Sequence, residues 1–129
     1  MSTLATHATW VLVVTFAGSL AYELWRATAK RGTSRYDSMG ALVRDTALLY
    51  VMAAVVIGLL VAQVAWASWI GFAFSLAVIA ISMFYYNPRV MFERRPRMID
   101  WFEDLAFTGL LFVAATLLLY DGLGWTLQA

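Results

Sequence analysis

TALLYVMAAVVIGLLVAQVAWASWIGFAFSLAVIAISMFYYNP, residues 46–88, contains no Asp, Glu, Lys or Arg. A single helix of that length would reach about 64 Å at 1.5 Å per residue, twice the roughly 30 Å of hydrocarbon in a bilayer. Two crossings with a tight turn fit instead: spans of about 46–65 and 69–86, turning at Trp66-Ala67-Ser68-Trp69. Upstream, the apolar run from Ala8 to Leu24 predicts a span over 8–25. Downstream, Leu105 to Tyr120, extended by Trp101 and Phe102, predicts one over 102–121. The expected fold is therefore an all-α integral membrane protein, a single domain (1–129) with four transmembrane helices.

Composition agrees. Apolar residues make up 63% of the 129 and charged residues 13%, against about 45–50% and 25% in soluble domains. The formal net charge of +1 hides a complete separation in space. Arg26, Lys30, Arg31, Arg35 and Arg44 occupy one stretch and Arg89, Arg94, Arg95 and Arg97 another; no other basic residue exists. Basic loops beside membrane helices stay cytoplasmic, which predicts cytoplasmic loops at 26–45 and 87–101 and both termini on the opposite side. The N-terminal MSTLATHATW lacks a basic region ahead of the apolar run, so the first span is expected to stay uncleaved.

Aromatic residues give an independent check, because Trp and Tyr favour the headgroup level. On this threading Trp10, Trp66, Trp69, Tyr120 and Trp125 fall at one boundary. Tyr22, Trp25, Tyr50, Tyr85, Tyr86 and Trp101 fall at the other. In the first loop Gly32 is placed to end helix 1, and Asp37 or Ser38 to cap helix 2. The second loop begins at Asn87-Pro88, read as a helix stop. Its RVMFERRPRMIDWFEDL alternates charges with apolar side chains, which predicts an amphipathic segment lying in the interface before helix 4.

Candidate functional residues are few. Glu23 is an ionisable residue at the end of a span, expected to snorkel to the headgroups or to pair with Arg26 three positions on. Asp100, Glu103 and Asp104 share a helix face at i, i+3, i+4 spacing. Carboxylates so placed are oxygen ligands for a divalent cation, but four nearby arginines make ion pairing the expectation, and no metal is assigned. Arg94, Arg95 and Arg97, held by Phe92 and Trp101, are expected to contact anionic headgroups or a neighbouring subunit. His7 is the sole histidine, no cysteine is present, and no serine has a nearby base, so no cofactor is expected and no triad or thiolate site is assembled.

Small residues recur every fourth position, at Ala54, Gly58 and Ala62 and again at Ala67, Gly71 and Ser75. These ridges are expected to pack helices 2 and 3 together. Gln63 is expected to hydrogen-bond between helices. In size and span count the chain resembles the small multidrug exporters, but Glu23 lies at a helix end where their essential carboxylate sits mid-helix, and the basic bias here is wholly one-sided. The sequence thus favours a non-catalytic accessory, assembly or stabilising subunit of a larger membrane complex. Its expected partners are membrane lipids and another membrane protein or a second copy of itself, not nucleic acid. The alternatives are a small homo-oligomeric transporter or channel, and a lipid-interface enzyme using the 100–104 carboxylates.

Overall fold

The computed structural model of the chain describes residues 2–32 and 36–124. Arg35 and Trp125, counted above, lie outside the described residues. The elements are α1 (Thr3–Thr28), α2 (Met39–Val61), α3 (Ala67–Ile81), a π-helical continuation of α3 (Ser82–Met91), and α4 (Met98–Gly122). With α3 and its continuation taken as one rod, all four helices are long and apolar enough to cross a membrane. They point to a multi-pass membrane protein built as a helical bundle. In cross-section α1 packs on α2 and α4, and α3 on α2 and α4, so each helix has two neighbours.

Local chemistry sets the helix ends. Ser2 caps α1, its Oγ accepting from the Ala5 N–H at 3.0 Å. Ser38 rather than Asp37 caps α2, accepting from Ala41 N–H at 3.1 Å. α2 stops where Gln63 takes a left-handed conformation, φ 57°, so the turn falls at 62–66, ahead of the predicted Trp66–Trp69. Gly32, also left-handed at φ 86°, donates to the Asp37 carbonyl at 3.0 Å and folds the first loop back on itself.

Asn87-Pro88 does not stop the helix. α3 runs through it in π register and ends only after Glu93. Proline has no N–H to donate, and in an α-helix its ring strikes the carbonyl four residues back. The wider π turn relieves that collision. Asn87, with its amide nitrogen turned toward the acceptors, donates to the Ser82 carbonyl at 3.2 Å and to Asp104 Oδ1 at 2.8 Å. Residues 87–101 are therefore two helix ends joined by the short turn Arg94–Arg97, in place of the predicted loop with an amphipathic segment of its own.

The core is apolar and runs along one stripe per helix: Leu12 and Phe16 of α1, Val56 and Leu60 of α2, Phe74 and Val78 of α3, Leu111 and Leu118 of α4. Four rings, one from each helix, meet at mid-height. Phe16 is the hub, 5.7 Å from Phe74, 5.5 Å from Phe107 and 6.5 Å from Tyr50, the last two edge-on. The ridge Ala67, Gly71, Ser75 is buried. Gly71 lies closer to Leu118 of α4 than to Val56 of α2, so the ridge does not serve the expected α2–α3 contact alone, and it has to be small. A Cβ at Gly71 would sit 2.9 Å from Leu118 Cδ1, and one at Gly122 only 2.8 Å from the Trp69 ring. The other ridge behaves differently. Ala54, Gly58 and Ala62 face away from the bundle, and α2 meets its neighbours through Ala53, Val56 and Leu60 instead.

Candidate functional site, a buried charge network at the basic end

The last turns of α1 place Tyr22, Glu23 and Arg26 on the face that looks into the bundle, and all three are buried. The first loop adds Asp37, the turn after the π segment adds Arg94, and the first turn of α4 adds Asp100; these too are buried. Five charged side chains thus sit together shielded from bulk solvent, where an isolated charge would cost several kcal/mol and only pairing can offset it.

The pairing is extensive, although Arg94 Nε makes no hydrogen bond among the described residues. Arg26 grips Asp37 with two parallel bonds, Nε to Oδ1 at 3.0 Å and Nη2 to Oδ2 at 2.7 Å. Its third nitrogen lies 3.6 Å from Asp100 Oδ1. Arg94 holds Glu23 the same way, at 3.1 Å and 2.8 Å. It also donates to the Tyr86 hydroxyl at 2.9 Å and the Tyr36 carbonyl at 3.3 Å. Its Nε lies 3.2 Å from Asp37 Oδ1, so Asp37 joins the two arginines. Such fork-to-fork geometry is what the planar guanidinium provides and a lysine would not. Burial works against the Arg94 charge, but Glu23, Tyr86 and Asp37 outweigh it and hold its pKa above that of an ordinary arginine. Asp100 closes the network: Tyr22 donates to its Oδ1, and the Arg97 backbone N–H donates to its Oδ2 at 2.9 Å.

Glu23 therefore neither snorkels nor pairs with Arg26. It is bound across the bundle to Arg94, and Arg26 turns to the loop. Arg94 points inward, so of the three arginines expected at the surface only Arg95 and Arg97 are exposed. Trp101 is partly exposed and meets Phe92 edge-on at 6.1 Å. Among the described residues, Asp100 is the only α4 carboxylate that touches an arginine. Asp104 is buried and held by Asn87; Glu103 is half-buried and faces an interior cavity. Tyr22, Asp37, Tyr86 and Asn87 belong to the site although nothing local marks them.

One signal for the pairing, and for Asp37 in it, is in the composition. Seven of the eight acidic residues, all but Asp121, lie in or beside the two basic stretches. Topology uses Lys and Arg and is nearly indifferent to Asp and Glu. Acids gathered at the basic end therefore speak for pairing. Asp121 is the exception in place as well as number: at the far end of α4 it accepts from the Ser2 and Ser68 hydroxyls at the starts of α1 and α3. There the positive ends of two helix dipoles favour a carboxylate.

No protein-family model, curated protein or solved structure matches the chain.

Proposed function

We propose that this chain is a non-catalytic accessory or stabilising subunit of a larger membrane complex. In this reading the basic end faces the cytoplasm, both termini lie on the opposite side, and the exposed part of the basic end contacts anionic lipid and a partner. The supporting observation is the way charges sort there. The buried set (Glu23, Arg26, Asp37, Arg94, Asp100) is consumed by internal ion pairs. The exposed set is dominated by arginines, with Arg31, Arg89, Arg95 and Arg97 at the surface beside Phe92, Phe102 and Met98. Surface guanidinium groups next to apolar anchors suit phosphate headgroups, each basic residue contributing about 1 kcal/mol.

Replacing Arg89, Arg95 and Arg97 together by Gln, and leaving Arg94 intact, tests this. The variant is expected to fold but to lose a co-purifying subunit or bound anionic lipid on extraction in mild detergent. Unchanged retention of both would sink the reading. Orientation has its own test in a chain without native cysteine: a cysteine at exposed Val64 is expected to react with an impermeant maleimide in intact cells, and one at Arg31 is not. The reverse pattern would overturn the threading.

A second reading, a small homo-oligomeric transporter, draws support from one observation. All four helices contribute to a small, mostly apolar cavity into which Ser19, Tyr50, Ser82 and Glu103 bring polar groups. A lipid-interface enzyme draws none, because Asp100 and Asp104 are buried beneath the surface that a headgroup would reach.

A further inference from the structure

Between α2 and the rod formed by α3 and its π continuation, in the basic half of the bundle, lies a crevice of about 480 Å³. It exists because α2 stands off from its neighbour: from Val43 to Met52 not one of its side chains is buried. Leu49, Met52, Phe74, Val78 and Ile81 make its walls apolar. It adjoins the interior cavity, about 80 Å³, and the two share Glu23, Thr46 and Tyr86 in their linings. Volume and lining together are those of a small-molecule site: hydrocarbon walls with a few polar groups at one end.

The polar end has a sign. Three carboxylates line the cavity. Glu23 is neutralised by Arg94 and Asp104 is held by the uncharged Asn87 amide. Glu103 has no hydrogen bond or ion pair with another described residue. A carboxylate in that position, with Glu23 and Asp104 as its neighbours, is relieved by a cation. An anionic head finds hydroxyls there but no free cation, because the Arg94 guanidinium is already ion-paired with Glu23 and Asp37. At the mouth the charges cancel, with Arg44 paired to Asp45 at 2.9 Å.

We propose that the crevice and cavity form one binding site for an amphipathic organic cation, its hydrocarbon part between α2 and α3 and its ammonium head against Glu103. The ligand enters sideways, from the direction α2 leaves open. Capture at this site requires neither transport nor a larger partner, and it is read by equilibrium binding while the subunit reading is read by co-purification.

The test uses the whole chain in phosphatidylcholine nanodiscs, with decyltrimethylammonium as probe and decyl sulfate as its anionic counterpart. Saturable binding of the cation, one per chain and above partition into empty nanodiscs, is expected, with none for the sulfate. Glu103→Gln is expected to weaken it at least about tenfold, the scale of a charged contact. Ala77→Phe, which fills the crevice from an exposed position on α3, is expected to abolish it. Glu103 has no hydrogen-bond or ion-pair partner to lose among the described residues, so its variant keeps the parent's unfolding temperature and decides the matter even if Ala77→Phe misfolds. Sulfate binding as tight as that of the cation, cation binding unchanged in Glu103→Gln, or no saturable binding above empty nanodiscs would each overturn the proposal.

Discussion

At the basic end, five buried charged side chains from α1, the first loop, the second turn and α4 interlock through paired guanidinium and carboxylate groups. At the opposite end a single carboxylate, Asp121, ties two serine hydroxyls, and helices approach closely where small residues meet large ones: Gly71 under Leu118, Gly122 under Trp69. The difference separates two jobs. Buried ion pairs return little net stability, because desolvating the charges cancels most of their attraction, but they penalise wrong pairings heavily. Close packing gives helices in lipid most of their affinity for one another. The basic end thus specifies which segments meet, and the opposite end supplies most of the hold.

The largest effect expected from this contrast is at Arg94. Arg94→Met leaves Glu23 buried without its partner and should cost about 3–5 kcal/mol. The double variant Glu23→Leu with Arg94→Met should recover most of that, since a matched apolar pair replaces a matched ionic one. Unfolding of the four-member mutant cycle in detergent measures it; a double variant as unstable as Arg94→Met would show that the pair supplies net stability after all. At the packed end Gly71→Ala drives a methyl into Leu118 and should cost about 1–3 kcal/mol. Combining it with Leu118→Ala should cost less than the sum of the two single changes, and strict additivity would mean that the close contact is not the cause. The smallest effect is at Ser75, fully buried with no hydrogen-bond partner for its hydroxyl. Ser75→Ala should shift stability by no more than about 0.5 kcal/mol, and in the stabilising direction. A clear loss would show the hydroxyl is satisfied after all.

How far the sequence reaches follows the same division. Four apolar rods and the Ser38 cap are properties of neighbouring residues, and they are legible as periodicity and local hydrogen bonding. The pair Glu23–Arg94 spans 71 positions, and the closer Arg26 offers a simpler partner on paper. Only the assembled bundle shows that Arg26 is already claimed by Asp37. Pro88 misleads for a related reason. The rule that proline ends a helix is local, whereas the π register that tolerates it is tethered from outside, by Asn87 reaching Asp104 on α4. Ala54, Gly58 and Ala62 carry the right spacing for a packing ridge, but spacing fixes a face without saying which way the face turns.

The π segment has a geometric consequence for everything after it. A helix is a screw, and the number of residues threaded through it sets the compass bearing of each side chain that follows. Arg94 meets Glu23 because the ten residues Ser82–Met91 are wound more loosely than an α-helix would wind them. Removing one residue from an α-helical stretch swings all that follows by about 100°. A one-residue deletion between Met83 and Tyr86 would therefore aim the guanidinium away from the bundle interior, and the Tyr86 hydroxyl with it, while Glu23, Asp37 and the Tyr36 carbonyl stay in place and unaltered. The lock at the basic end is keyed by phase as much as by charge.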